Sequence, residues 1–232
     1  MRLDKLIASQ GKYSRSDVKK LIRDGLVTVD GEKAATSDIQ VNPETSEVVV
    51  DGTPLRYREH VYIMLNKPAG VVSATDDREH ETVLDLVPDG LKRPGLFPAG
   101  RLDADTTGFV LITDDGDFAH KILSPKNHVE KTYIAELADP ISEDDVEKLE
   151  SGIVLKDETR CLPAKINVLD ERKIEIKICE GKYHQIKRMI AATGNRVLVL
   201  KRTKIGGLPL DIDLLPGNCR EITQEELGVI TT

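Results

Sequence analysis

Several features that mark whole classes of protein are missing from this sequence. None of its apolar runs approaches the roughly 20 residues needed to cross a bilayer. The N-terminus, Met-Arg-Leu-Asp-Lys-Leu-Ile, carries no signal-peptide hydrophobic segment, so a cytoplasmic protein is expected. Cysteine is scarce. Cys161, Cys179 and Cys219 are widely spaced and odd in number, which argues against a disulfide framework and against a Cys-based zinc site. The five histidines lack ligand spacing, and no metal is expected. Positive charge is in deficit: the formal net charge is −7, which by itself argues against a nucleic-acid partner, because phosphate contacts need Lys and Arg.

What is present qualifies that last point. Residues 1–25 carry seven Lys and Arg against three acids, a net of +4. A second basic run lies at Lys182 to Arg188, while the acidic excess gathers elsewhere, notably over residues 142–150. The distribution of charge matters more for a polyanionic partner than its sum. With 232 residues, 39 % hydrophobic and 31 % charged, the chain suits one large domain, or a large and a small one.

The first segment reads as two short helices and a hairpin. Leu3, Leu6 and Ile7 form a one-face stripe, and Val18, Leu21 and Ile22 form another behind a Ser14 cap with Asp17 three residues on. Gly25 stops the second helix. Leu26–Val29 then reads as a strand into the Asp30-Gly31 turn, and Glu47–Val50 as a strand into Asp51-Gly52. A small α/β module over residues 1–56, a linker over 57–60 and a larger domain over 61–232 are expected. In the larger part, strands are expected at Val61–Asn66, Phe109–Thr113, Thr132–Leu137, Ala164–Leu169, Ile174–Cys179 and Arg196–Leu200. Helices are expected at Asp117–Leu123, Glu143–Glu150 and Tyr183–Thr193. Strands unevenly separated by single helices imply an α+β fold with a mixed, mostly antiparallel sheet and flanking helices.

Two segments carry candidate chemistry. In Gly100-Arg-Leu-Asp-Ala-Asp-Thr-Thr-Gly108, two glycines bracket a polar loop that runs into an apolar strand. Asp103 and Asp105 thus sit on a loop held by a rigid element, with Arg101 beside them, and a solvated polar turn is an equally good reading of the pattern. In Glu180–Gly194, helical spacing puts Ile186, Met189, Ile190 and Thr193 on a core face and His184, Lys187, Arg188 and Ala191 on the other. That second face is either a solvated basic surface, or a phosphate site and a cation for a nearby carboxylate. Weaker signals are the strand end Asn66-Lys67-Pro68 and Tyr133, whose ring either stacks on a base or packs in the core.

Taken together and in order, these segments resemble the pseudouridine synthases of the RsuA type. The matching pieces are Lys67-Pro68 with Gly70, the loop 100–108, Lys131-Thr-Tyr133, and Glu180-Gly-x-x-His-Gln-Ile-Lys-Arg-Met189. The N-terminal module resembles an S4 RNA-binding domain through Arg2-Leu-Asp4, Ser14-Arg-Ser16, Leu21-Ile22, Gly25-x-Val27-x-Val29 and Gly31. The Lys-Tyr-His-Gln form of the last motif is most similar to members acting on 16S rRNA. The resemblance implies isomerisation of a uridine to pseudouridine in ribosomal RNA, with the base flipped from its stack. Asp103 would be the catalytic aspartate, Tyr133 the residue stacked on the base, and Lys187 the cation paired with Asp103. Many relatives carry Arg at the position of Lys187, and Arg188 is the alternative partner. Asp105 would support the loop by bonding backbone N–H groups. RNA contacts are expected from Arg101, Lys67, His184 and Arg188, and in the N-terminal module from Arg2, Ser14, Arg15, Lys19 and Lys20. No cofactor is expected. The expected partner is ribosomal RNA or a ribosomal subunit assembly intermediate, with no membrane, met by a monomeric chain. The competing readings are a synthase acting on 23S rRNA, a non-catalytic S4-type RNA-binding or assembly protein, and a glycosidase-like hydrolase using Asp103 and Asp105 as paired carboxylates.

Overall fold

The computed structural model describes residues 1–231. They form two compact units, one of Met1–Val61 with Pro88–Leu96, the other of Tyr62–Val87 with the described residues from Phe97 onward.

The first unit opens with helices α1 (Leu3–Ser9) and α2 (Arg15–Arg23), followed by β1 (Val27–Val29), β2 (Glu32–Lys33), β3 (Val48–Val50) and β4 (Thr53–Pro54). The strands pair antiparallel in the order β2-β1-β3-β4. The helical stripes bury as the spacing requires: Leu3, Leu6, Ile7, Val18 and Ile22 close over Val27, Val48 and Val50. Ser14 caps α2 in a reciprocal capping box with Asp17. Residues 57–60, read above as a linker, belong to this unit. Arg58 N–H donates to Gln10 Oε1 at 3.0 Å, and Arg58 O accepts from Arg93 Nη1 at 3.0 Å. The segment Pro88–Leu96, which lies inside the larger expected domain by sequence, thus packs here.

The second unit runs β5 (Tyr62–Lys67), β6 (Phe97–Pro98), β7 (Thr107–Thr113), α3 (Gly116–Leu123), a 3₁₀ turn (Pro125–Asn127), β8 (Lys131–Leu137), α4 (Glu143–Ser151), β9 (Lys165–Asp170), β10 (Lys173–Ile178), α5 (Gln185–Ala192), β11 (Val197–Ile205), β12 (Leu208–Pro209), β13 (Cys219–Glu221) and α6 (Gln224–Ile230). Its main sheet is ordered β13-β5-β7-β11-β8-β10-β9, with β6 and β12 as short additions. The β7–β11 pairing is parallel and the other named pairings are antiparallel, so the sheet is mixed and mostly antiparallel. β5 and β7 lie mid-sheet and are buried on both faces, which explains their unbroken apolar runs. Met64, Phe109 and Leu111 from these strands pack with Ala119 and Ile122 of α3 and Leu227 and Ile230 of α6.

Two differences from the sequence reading bear on the site. β11 continues to Ile205 rather than ending at Leu200, because ladder pairing to β8 holds Lys201, Arg202 and Lys204 in extended backbone. α5 begins at Gln185, not at Tyr183, because His184 adopts a left-handed conformation (φ +47°) that a helix cannot accommodate.

Candidate active site

The loop between β6 and β7 is fixed from below by buried groups. Lys67, at the end of β5, has no exposed surface, and its ammonium donates to the carbonyls of Pro68 (3.0 Å), Ala104 (3.1 Å) and Thr106 (2.9 Å). Burial pushes its pKa down to about 8, with Asp105 and Asp103 pulling the other way. A lysine so enclosed has no N–H left for a phosphate, so Lys67 holds the loop rather than meeting RNA. Ser73 adds a second tie: its Oγ accepts from Leu102 N–H and its hydroxyl donates to Leu102 O, both at 3.0 Å. Gly108 closes the loop at φ +97°, where a Cβ would run into the backbone carbonyl of Arg202 on the adjacent β11.

On this frame the loop meets the start of α5. Lys187 Nζ lies 2.9 Å from Asp103 Oδ2 and 2.6 Å from Asp105 Oδ1, so one ammonium bridges both carboxylates. His184 Nε2 stands 3.4 Å from Asp103 Oδ1. Burial lowers the Lys187 pKa, but the hydrogen bonds to Asp105 and Asp103 outweigh it and leave the group above the ordinary lysine value. The same bond to Lys187 holds the Asp105 carboxyl below the usual range. The exposed Asp105 carboxylate thus pairs with Lys187, and it also takes a bond from its own backbone N–H in the loop. Arg188 is not the partner of Asp103. Its guanidinium pairs with Asp157 at 2.6 Å and donates to Tyr183 O at 3.3 Å.

The turn that delivers His184 is locked from within. Gln185 Nε2 donates to Glu180 Oε1 at 2.7 Å, and Gln185 Oε1 accepts from Lys182 N–H at 2.9 Å. Leu162 N–H also donates to Glu180 Oε1, and Lys182 pairs with the other carboxylate oxygen. The exposed Tyr183 ring stacks on His184 with centroids 3.8 Å apart.

These elements surround an open cavity of about 610 Å³, lined among others by Arg101, Asp103, Lys131, Tyr133, His184 and Arg202. Its size suits a nucleotide-sized ligand. Arg101 is exposed at its lip, while Tyr133 is 8 % exposed and forms part of its wall. Sequence reasoning missed Ser73, Lys131 as a wall residue, and Arg202. Lys131 was within reach, since residues two apart on a strand share a face and Tyr133 was already singled out. Arg202 was not, because its position opposite Tyr133 depends on the β8–β11 pairing. Among the described residues no cluster of His, Cys, Asp and Glu is arranged to hold a metal ion, and no helix is long and apolar enough to cross a membrane.

The expected RNA contacts of the N-terminal unit are described within that unit. Arg15, Lys19 and Lys20 are exposed on α2. Ser14 Oγ is engaged in the capping box. Arg2 chelates the buried Asp4 through Nε (3.1 Å) and Nη2 (2.9 Å), leaving part of its guanidinium in solvent.

Residues 1–45 match the S4 domain. The chain is 47 % identical to a protein of Bacillus subtilis (strain 168) described as uncharacterized RNA pseudouridine synthase YtzG, over 99 % of this chain and 98 % of that one. It is 45 % identical to ribosomal small subunit pseudouridine synthase A of Escherichia coli (strain K12), over 99 % and 100 % of the two chains. A crystal structure of a pseudouridylate synthase superposes with a TM-score of 0.69 at 42 % identity, covering 99 % of both chains. With residues 61–192 matching the RNA pseudouridylate synthase model, the chain belongs to that family.

Proposed function

We propose that this protein isomerises a specific uridine to pseudouridine in 16S ribosomal RNA, with Asp103 as the catalytic carboxylate. The observation that carries the reading is the placement of Asp103. Its carboxylate lines a nucleotide-sized cavity, with one oxygen on Lys187 and the other facing His184. The Lys187 ammonium at 2.9 Å orients the carboxylate that attacks the uracil ring or acts at the ribose. Either route breaks the C1′–N1 bond and forms a C1′–C5 bond with no net gain or loss of atoms. Tyr133 stacks on the flipped base, and Arg101 at the lip holds the displaced strand or its phosphate. The choice of small-subunit RNA rests on the name of the Escherichia coli relative.

In this reading the RNA-binding module of residues 1–56, with 57–60 packed in the same unit, brings RNA to the catalytic domain, read as 61–232 less the segment Pro88–Leu96. Arg2, Arg15, Lys19 and Lys20 meet phosphates. The protein acts as a monomer in the cytoplasm, on ribosomal RNA or on a small-subunit assembly intermediate. The test is pseudouridine mapping of ribosomal RNA from cells lacking the gene. One 16S rRNA site is expected to vanish, to return with the native gene and to stay absent with Asp103→Asn, while Asp103→Asn protein still binds that RNA. Loss of a 23S rRNA site instead would move the substrate to the large subunit. A full complement of pseudouridine in the deletion strain would overturn the reading.

A further inference from the structure

The wall of the cavity behind Tyr133 is built from two cations that the roles above leave unused. Lys131 begins β8 and is 5 % exposed, and its ammonium donates to Ile122 O at 2.7 Å and Val129 O at 2.8 Å. Arg202 on β11 is 4 % exposed and pairs in register with Tyr133 across the ladder. Its Nε donates to Phe109 O at 2.7 Å, its Nη1 reaches the Tyr133 hydroxyl oxygen at 3.4 Å, and its buried Nη2 has no hydrogen-bond partner among the described residues. Neither cation forms an ion pair among the described residues, although both line the same cavity as Asp103. The other acid lining the cavity, Glu180, is occupied by Lys182, Gln185 and Leu162 N–H. Burial, with the Arg202 charge close by, brings the Lys131 pKa down to about 8.

Burying two like charges side by side is costly before any compensation. Carbonyl dipoles alone offset part of that, and apolar side chains would fill the same wall without it. A pre-organised positive wall is useful where negative charge develops during a reaction. We propose that Lys131 and Arg202 stabilise the negative charge that forms on the uracil ring as pseudouridine is made. The inference rests on the synthase reading given above.

The chemistry requires such charge by either route. If the carboxylate acts at the ribose, the C1′–N1 bond breaks and its electron pair leaves on uracil, an anion whose charge spreads to O2 and O4. C5 then supplies an electron pair to C1′, gives up its proton to a base, and N1 takes one up. If the carboxylate instead bonds to C6, the C5–C6 π pair moves through C4 to O4 as an enolate; C5 then bonds C1′ as the C1′–N1 pair leaves on N1, which takes up a proton, and loss of the C5 proton to a base expels the carboxylate from C6 and restores the C5–C6 double bond. In both cases a base stacked on Tyr133 carries its carbonyl edges against the wall that holds Lys131 and Arg202. Asp103 with Lys187 works at C1′ in the first route and at C6 in the second, and in both the two buried cations work on the ring carbonyls.

The test uses the full-length protein and 16S rRNA purified from cells lacking the gene, read by single-turnover pseudouridine formation. Arg202→Gln keeps an amide donor for Phe109 O but removes the charge, and is expected to slow the step about 100-fold. RNA affinity should stay within about twofold, because phosphate contacts elsewhere supply it. Arg202→Lys, which restores the charge, is expected to recover most of the rate. Thermal unfolding separates charge from scaffolding: Arg202→Gln should melt no lower than Arg202→Lys. Should the Arg202 variants fail to fold, Lys131→Gln against Lys131→Arg carries the same comparison. Equal rates in the Gln and Lys forms, or a rate that tracks only the melting temperature, would overturn the inference while native activity persists. Absence of pseudouridine with the native protein would instead overturn the activity on which it rests.

Discussion

On α2 of the N-terminal unit, Arg15, Lys19 and Lys20 stand in solvent, while in the larger unit Lys67, Lys131 and Arg202 are almost wholly enclosed. The same residue types do different physical work in the two places. Exposed cations attract a polyanion at little cost and are screened by salt. Enclosed cations bind no phosphate at a distance, but in a low dielectric they act strongly on whatever enters the cavity. The net charge of −7 is therefore no obstacle to RNA binding, since the few cations that matter are either clustered or buried. Lys187 lies between these extremes, with 26 % of its side chain exposed, and it is the cation that touches Asp103.

That comparison is broken most severely at Lys187. Lys187→Met leaves Asp103 and Asp105 facing each other across the bridge with no cation between them. One carboxylate then gains a proton more readily, and the single-turnover rate is expected to fall about 100-fold. Lys187→Arg should retain a large part of the rate, since a guanidinium reaches both carboxylates. A Lys187→Met enzyme as fast as the native one would show that Asp103 works without a cation beside it.

The enclosed lysines give a second, smaller effect, visible in stability. Lys67 and Lys131 have pKa values near 8 in the folded protein, against an ordinary 10.5. Between those values the unfolded chain holds protons that the folded one has released, so stability rises with pH through this window. Below pH 8 both are charged in either state and the contribution is flat. The rise from the pair is on the order of a few kcal/mol, and urea unfolding at pH 8 and pH 10 measures it. Lys131→Met should lower the slope relative to the native protein. Exposed lysines of α2 should leave it unchanged, so Lys19→Met is the control.

How much of this was legible in the sequence follows from where each residue lies. The helices and strands of the N-terminal unit could be read because Leu3, Leu6, Ile7, Val18 and Ile22 repeat at helical spacing and bury as that spacing demands. The aspartate loop could be found because two glycines bracket Asp103 and an apolar strand follows. The partners of Asp103 were less legible. Lys187 and His184 come within reach only because a left-handed residue, and not one more turn of helix, starts α5. Arg202 was illegible for a different reason. It stands among Lys201 and Lys204, a run that looks like solvated loop, and its burial depends on strands far away in sequence. Lys67 misled for the same reason: a lysine at a strand end usually reaches water, and here three backbone carbonyls close around it.

The smallest effect on the chemical step is expected from the exposed side of the comparison. Arg15 and Lys19 lie one turn apart on α2 and share a face. If both meet phosphates, replacing them with Gln removes two counterion-releasing contacts, and the slope of log affinity against log salt should flatten by about 1.4 for single-stranded RNA. Affinity should fall at low salt and converge with that of the native protein at high salt. The rate within the bound complex should be unchanged, because neither residue belongs to the cavity that holds Asp103. A slope that stays the same would move the RNA-binding surface off α2. A slower step in the bound complex would show that the exposed cations also help to seat the base, and the division between surface charge for affinity and buried charge for chemistry would then give way to one in which both contribute to each.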